Sequence, residues 1–156
     1  MLVGVPAGTG RGGGRKEADV VGFKFEGSKL VIEHWEVSSL SLKGEDAAER
    51  IRKKFSSDSV EVVRNYIIKV LGLSNKQALD VEYRKKAIVF TSEKALRKAK
   101  EILKNEGIEL YSIKEFFEVH LKPVIEEQVK SGRTFPDPCW LLNMLYTLRK
   151  EEIVNW

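Results

Sequence analysis

The sequence contains few of the residues on which several classes of protein depend. Cys139 is the single cysteine among 156 residues, which excludes an internal disulfide and a zinc site built on several cysteines. We interpret this cysteine, which stands next to Trp140, as a packed side chain. Only two histidines are present. His34 is interpreted as a packed, hydrogen-bonded side chain, and His120 is interpreted as structural because it lies far from any cysteine or histidine partner.

Long apolar runs are also missing. No stretch approaches the ~18 apolar residues that a membrane-spanning helix needs. Residues 1–14 lack the basic region followed by an apolar run that marks a signal peptide. We therefore expect a cytoplasmic protein with no membrane partner. Hydrophobic residues make up 42% of the chain and charged residues 32%, a balance that can form one buried core and a solvated surface.

The charge balance is mildly basic. The formal net charge is +4 and the sequence pI is about 9.1, which is compatible with a nucleic-acid partner without requiring one. Basic residues cluster at positions 50–54 and 84–86. Each cluster is either a set of solvated charges or part of a DNA-binding surface.

Hydrophobic periodicity predicts strands first and helices later. A short strand over residues 2–5 is predicted to stop at Pro6. Two further strands, 18–25 and 30–37, are joined by a hairpin turn at Glu26-Gly27-Ser28-Lys29. Residues 79–83 and 87–90 form either one bent strand or a hairpin, and a short strand follows Gly107. The predicted helices are 45–55, 59–71, 92–105, 112–129 (interrupted at Pro123) and 140–149. This order predicts an α/β fold, a mixed sheet flanked by helices.

Two acidic residues stand out within the predicted hairpin. Asp19 opens one strand and Glu33 lies in the middle of the next. Adjacent strands are roughly 5 Å apart, so we expect the two carboxylates to converge. Mg²⁺ and Mn²⁺ bind one or two carboxylates together with water and phosphate oxygens, and such an ion can activate water for phosphodiester hydrolysis.

The loop before Asp19 is rich in glycine and basic residues. Arg11, Arg15 and Lys16 lie there, and glycine lets the backbone approach a phosphate closely. Together with Lys24 they are the predicted nucleic-acid contacts. The spacing Gly-x-Gly-x-x-Gly in this loop is not a dinucleotide-binding motif, because a strand follows where that motif needs a helix N-terminus.

The order of these segments is typical of one group of nucleases. A strand, the Gly/Arg-rich loop, Glu-Ala-Asp19-Val-Val, a hairpin and Leu-Val-Ile-Glu33 follow each other, and residues 87–95 and 107–111 supply a later strand–helix–strand pattern. The pattern resembles the PD-(D/E)XK nuclease superfamily, in particular archaeal Holliday junction resolvases and Mrr-type restriction domains. The resemblance covers roughly residues 2–120. It implies a restriction-endonuclease-like fold, and Asp19 and Glu33 as catalytic metal ligands for Mg²⁺ or Mn²⁺.

The pattern departs from that superfamily at two points. The motif lysine would stand two residues after the glutamate, where this chain has Trp35. Lys16, Lys24 or Lys43 could supply the missing ammonium from another position. Glu36 could join the site only if a bulge rotated it, because alternate residues of a strand face opposite sides. The superfamily also tends to place a helix before the first strand, whereas this sequence begins with the strand.

We therefore expect a nuclease-like core over residues 1–120 and a helical extension packed on it over residues 121–156. The expected function is that of a metal-dependent DNA endonuclease. The alternative is a catalytically inactive domain of the same fold that binds nucleic acid or another protein. The apolar stripe of the last helix is a candidate surface for a homodimer.

Overall fold

The computed structural model describes residues 2–9, 15–39, 43–73 and 80–134. By its internal contacts the chain divides into two units, Met1–Ser112 and Ile113–Trp156. The strands of the first unit are β1 (Leu2–Thr9), β2 (Arg15–Glu26), β3 (Lys29–Ser39), β4 (Val81–Phe90) and β5 (Ile108–Tyr111). Its helices are α1 (Gly44–Lys54), α2 (Ser57–Val70) and α3 (Glu93–Leu103), the last followed by a 3-10 turn (Lys104–Glu106).

The described strands form one mixed sheet in the order β1-β2-β3-β4-β5. The first three strands pair antiparallel, whereas β4 is parallel to β3 and β5 is parallel to β4. The hairpin turn at Gly27 and Ser28 lies where the sequence predicts it, between the paired residues Glu26 and Lys29. A parallel pair needs a crossover connection, which α1 and α2 supply between β3 and β4. The predicted mixed α/β architecture is therefore confirmed.

The core of the first unit has two parts. Small and branched residues of α1 and α3, among them Ala48, Ile51 and Leu96, pack against Ala87 and Val89 of β4. The other part joins β1, β2 and β3 to α2. Its buried members are Val5, Ala7, Ala18, Val21, Leu30, Ile32, Val63 and Ile67. The even-numbered side of β3 is thus the side that faces the helices.

Two local predictions have clear outcomes. The strand β1 does not stop at Pro6; it runs on to Thr9, with Pro6 opposite Glu17. The prediction was wrong because β1 is an edge strand of the described sheet, where a residue without an N–H is tolerated. The sequence predicts either one bent strand or a hairpin for residues 79–83 and 87–90; within the described part, residues 81–83 and 87–90 belong to the single strand β4 (Val81–Phe90).

The second unit is described as far as residue 134. It contains α4 (Ile113–Phe116), a π-helical turn (Phe117–Leu121) and α5 (Lys122–Ser131). Pro123 stands in the first turn of α5, so the predicted interruption at this proline is confirmed. The predicted helix over 140–149, and with it the predicted dimer surface, lies outside the described residues. None of the helices described in either unit is both long enough and apolar enough to cross a membrane.

Candidate active site

The register of the hairpin decides which carboxylates can meet. Gly22 of β2 lies opposite Glu33 of β3, and Val20 lies opposite Trp35. Beyond that pair, Asp19 Oδ2 and Glu36 Oε2 both contact Lys54 Nζ, so these two carboxylates share a side of the sheet. Since alternate residues of a strand face opposite sides, Glu33 lies on the other side from Glu36.

The surroundings of Glu33 confirm that it is separate from Asp19. Glu33 Oε1 accepts hydrogen bonds from Lys86 Nζ at 3.1 Å and from Arg84 Nη1 at 3.4 Å. Lys86 is buried and its Nζ also lies 5.0 Å from the centroid of the Trp35 ring. Burial raises the pKa of Glu33, but the hydrogen bond and charge of Lys86 and the hydrogen bonds from Trp35 and Arg84 outweigh it, so the net shift is downward. Glu33 is therefore an ionised member of an ion-pair network.

The predicted convergence of Asp19 and Glu33 on one metal ion is a point that the structure corrects. The two carboxylates lie on opposite sides of the sheet and contact different cations. The error came from taking proximity of two strands as proximity of two side chains, although the parity of the register decides which side each one faces.

Asp19 and Glu36 instead converge on Lys54. Asp19 Oδ2 accepts a hydrogen bond from the backbone N–H of Val37 at 2.7 Å, which ties the aspartate to the segment of β3 that carries Glu36. Lys54 Nζ lies 3.7 Å from Asp19 Oδ2 and donates to Glu36 Oε2. The side chain of Asp19 is 41% exposed and that of Glu36 only 3%. The cluster is therefore open to solvent on its Asp19 and Lys54 side and closed behind Glu36.

Helix α1 positions Lys54. This lysine is the last residue of the helix, and the next residue, Phe55, is buried and holds its ring 4.8 Å from the His34 ring, centroid to centroid. Packing of Phe55 against His34 thus fixes the position of the C-terminus of α1, and with it the position of the Lys54 ammonium. A cation at a helix C-terminus also interacts favourably with the helix dipole.

Two polar residues, buried His34 and part-buried Tyr83, support Glu36 from behind. His34 Nε2 lies 2.8 Å from Glu36 Oε1, and His34 Nδ1 lies 2.7 Å from the hydroxyl oxygen of Tyr83. Burial, and then the charge of Glu36, raise the pKa of Tyr83, so the phenol keeps its proton. Ionised Glu36 only accepts hydrogen bonds, hence His34 Nε2 carries a hydrogen.

The ionisation of Glu36 follows from these contacts. Burial raises the pKa of its carboxyl, but hydrogen bonds from His34 and Lys54, together with the charge of Lys54, more than offset burial, and the net shift is downward. The deeply placed carboxylate is therefore negatively charged at neutral pH. Its two oxygens are used differently, Oε1 by His34 and Oε2 by Lys54.

The predicted lysine substitutes and DNA contacts are only partly described. Lys24 lies near the hairpin turn and pairs with Glu26 at 2.7 Å, away from Asp19. Lys43 precedes the first residue of α1, at the opposite end of that helix from Lys54. Arg15 and Lys16 begin β2, the strand that carries Asp19, with only their backbone described. Arg11 lies outside the described residues.

The donor set can be compared with what a divalent ion needs. Within the described ranges no group of three or more His, Cys, Asp or Glu side chains is placed to hold a metal ion. Mg²⁺ and Mn²⁺ need fewer, because one or two carboxylates with waters and phosphate oxygens complete their shell. Two carboxylates against one ammonium also leave an excess negative charge that attracts a cation and would repel a phosphate. The residues of this cluster therefore fit a hard divalent ion.

Comparison of the chain with protein-family models, with curated proteins and with solved structures gave no match.

Sequence reasoning did not place Glu36 or Lys54 together with Asp19. It admitted Glu36 to the site only through a bulge, and it left Lys54 in a basic cluster that was either solvated or part of a DNA-binding surface. No sequence signal pointed to the meeting of Lys54 with the carboxylates, because only the packing of α1 on the sheet brings it there.

Proposed function

We propose that this protein is a metal-dependent nuclease of restriction-endonuclease-like fold, with Asp19, Glu36 and Lys54 at its active site. The observation that carries the proposal is the convergence of the Asp19 and Glu36 carboxylates on the Lys54 ammonium. An aspartate, a glutamate and a lysine are the residue types of the nuclease motif. Here the glutamate is Glu36 and the lysine comes from α1.

The order of the sheet supports the same fold. Three antiparallel strands are followed by a helical crossover to a parallel fourth strand, which agrees with the strand order implied by the sequence resemblance. The two acidic residues lie on adjacent central strands, β2 and β3. A basic glycine-rich segment precedes Asp19 in the sequence, so phosphate-binding groups are close to the carboxylates along the chain.

Each residue has a separate task in this proposal. Asp19 and Glu36 hold Mg²⁺ or Mn²⁺, which when bound supplies an activated water and stabilises the leaving oxygen. Lys54 is part-exposed beside both carboxylates, where its charge stabilises the negative charge that develops on a scissile phosphate. The open Asp19 and Lys54 side of the cluster admits the DNA backbone, and the closed side excludes water from behind Glu36.

Cleavage assays with matched variants test the proposal. The purified full chain is incubated with Mg²⁺ or Mn²⁺ and with duplex, single-stranded or four-way-branched DNA. We expect Asp19→Asn and Glu36→Gln to abolish cleavage and Lys54→Met to lower it by about 10²-fold or more, as loss of one group that stabilises transition-state charge does.

Two controls separate a catalytic role from loss of charge alone. Lys53→Met changes the neighbouring lysine, which is 73% exposed and pairs with Glu49, and Glu33→Gln changes the carboxylate on the other side of the sheet. Both variants should cut DNA like the unaltered protein once circular dichroism shows that they are folded. Absence of cleavage with every DNA form and both metals rejects the proposal, as does equal loss in Lys53→Met and Lys54→Met.

A second candidate function is binding of nucleic acid or protein without catalysis. It is favoured by the ion pairs that Lys54 makes with both carboxylates, because a lysine in that position satisfies them without a metal. This candidate predicts DNA binding that weakens steeply with salt, as counterion release requires, and that is unchanged by Mn²⁺ or by EDTA.

A further inference from the structure

A chain of hydrogen bonds, buried at its centre, runs from β4 to the candidate active site. Tyr83 on β4 contacts His34 Nδ1, His34 Nε2 contacts Glu36 Oε1, and Glu36 Oε2 contacts Lys54. His34 is fully buried, with 0% of its surface exposed. A histidine at such a position loses its hydration and is stable only when both ring nitrogens have partners.

The chain gives the two oxygens of Glu36 different roles. His34 holds Oε1 on the closed side of the cluster, so Oε2 is the oxygen that faces Lys54 and Asp19. Rotation of the carboxylate would break the His34 contact, and rotation of the imidazole is opposed by Tyr83 on its other nitrogen and by the edge-on ring of Phe55. Glu36 is therefore held in one orientation by groups that do not touch the open side of the site.

We infer that His34 is a positioning residue for Glu36, and that Tyr83 in turn orients His34. The inference rests on the proposed metal-binding role of Asp19 and Glu36. Ligands of bound metals depend on such outer partners, and mutation of a partner typically lowers metal affinity by about 10–100-fold. The contact between His34 and Glu36 explains why β3 carries a histidine two residues before the glutamate. The other residues on that side of the strand include buried Leu30 and Ile32.

One arrangement of hydrogens satisfies all three groups: Tyr83 donates its O–H to His34 Nδ1, and His34 donates its Nε2–H to Glu36. Glutamine can reproduce it in outline, because its amide N–H donates to the carboxylate and its carbonyl oxygen accepts from the phenol. Leucine fills similar space and can do neither.

Mn²⁺ affinity measured by titration of the electron paramagnetic resonance signal tests the inference without any need for cleavage. We expect His34→Leu to weaken Mn²⁺ binding by about 10–100-fold and His34→Gln to restore most of it. Tyr83→Phe should weaken binding several-fold, less than His34→Leu, because the His34–Glu36 contact survives. Thermal melting of each variant shows whether the fold is retained, and His34→Asn replaces His34→Leu if leucine prevents folding, since asparagine is too short to reach both partners.

Two control variants remove the same chemical groups elsewhere. His120→Gln changes the other histidine, in the second unit, and Tyr66→Phe removes a hydroxyl from the solvent-facing side of α2. Both should bind Mn²⁺ like the unaltered protein. A folded His34→Leu variant with unchanged Mn²⁺ affinity overturns the positioning role while leaving the proposed function intact. Failure of the unaltered protein to bind Mn²⁺ overturns both.

Discussion

Replacement of Glu33 tests the structural role that the sheet assigns to it. Glu33→Ala removes the carboxylate that accepts from Lys86 at 3.1 Å and Arg84 at 3.4 Å. The side chain of Lys86 is 10% exposed and that of Glu33 28%. Breaking a fully buried pair costs about 3–5 kcal/mol and an exposed pair about 0–1 kcal/mol. We therefore expect the free energy of unfolding to fall by about 2 kcal/mol, between these limits.

Lys86→Met provides the other arm of a double-mutant cycle. Methionine keeps an apolar stem beside Trp35 and leaves Glu33 paired with Arg84, so we expect a loss of no more than about 1 kcal/mol. In the background of Lys86→Met, Glu33→Ala should cost less than it does alone, because no buried ammonium is left without a partner. Urea unfolding followed by circular dichroism measures all four proteins.

The pH dependence of stability in the variant Glu33→Gln provides a second check. The folded-state pKa of Glu33 lies below its ordinary value of 4.5, so the stability it contributes is present above that value. This contribution is lost as the pH falls through the folded-state pKa. The difference in stability between the unaltered protein and Glu33→Gln should therefore be constant near neutrality and shrink below about pH 4.5. Unchanged stability in Glu33→Ala combined with loss of Mn²⁺ binding would refute the structural role.

Two further predictions concern the helices that frame the site. Gly44→Ala should lower the free energy of unfolding by about 1–3 kcal/mol through overpacking, because an added Cβ would lie 2.7 Å from Lys98 Cβ and 2.9 Å from the carbonyl oxygen of Ala95. Gly22→Ala is the matched control, since a Cβ added there would have nothing within 4 Å. Equal urea midpoints for the two variants would contradict this packing. Ser92→Ala should cost about 1 kcal/mol because the serine side chain caps α3 by accepting from the backbone N–H of residue 95, and an unchanged melting temperature would exclude that cap.

Much of the architecture could be predicted from local patterns. The hairpin between β2 and β3, the capped helix after Ser92 and the break at Pro123 each depend on residues close together in the sequence, where turn chemistry, capping and the missing proline N–H act directly. The end of β1 could not be predicted in the same way. Whether Pro6 ends a strand depends on the strand being at an edge of the sheet, and that is a property of the assembled sheet.

The candidate site divides in a similar manner. Asp19 was chosen from its position at the start of an apolar strand and stays a prediction; the structure places it as the exposed carboxylate beside Lys54. Its partner was chosen wrongly because Glu33 interrupts an apolar run and therefore attracts notice, whereas its cations, Arg84 and Lys86, come from a strand some fifty positions away. Glu33 on β3 and the cations Arg84 and Lys86 on β4 are thus the two halves of one ion-pair network.

The sequence by itself determined the type of fold, the hairpin and the register that starts at its two-residue turn, since these depend on contacts between near neighbours. Tertiary structure alone decided that Lys54 reaches Asp19 and Glu36 and that Tyr83 meets His34. These contacts form only when β4 pairs with β3 and the apolar face of α1 is buried against β4. Burial is non-directional, so the pattern of apolar residues states which face is covered without stating which polar groups meet beside it.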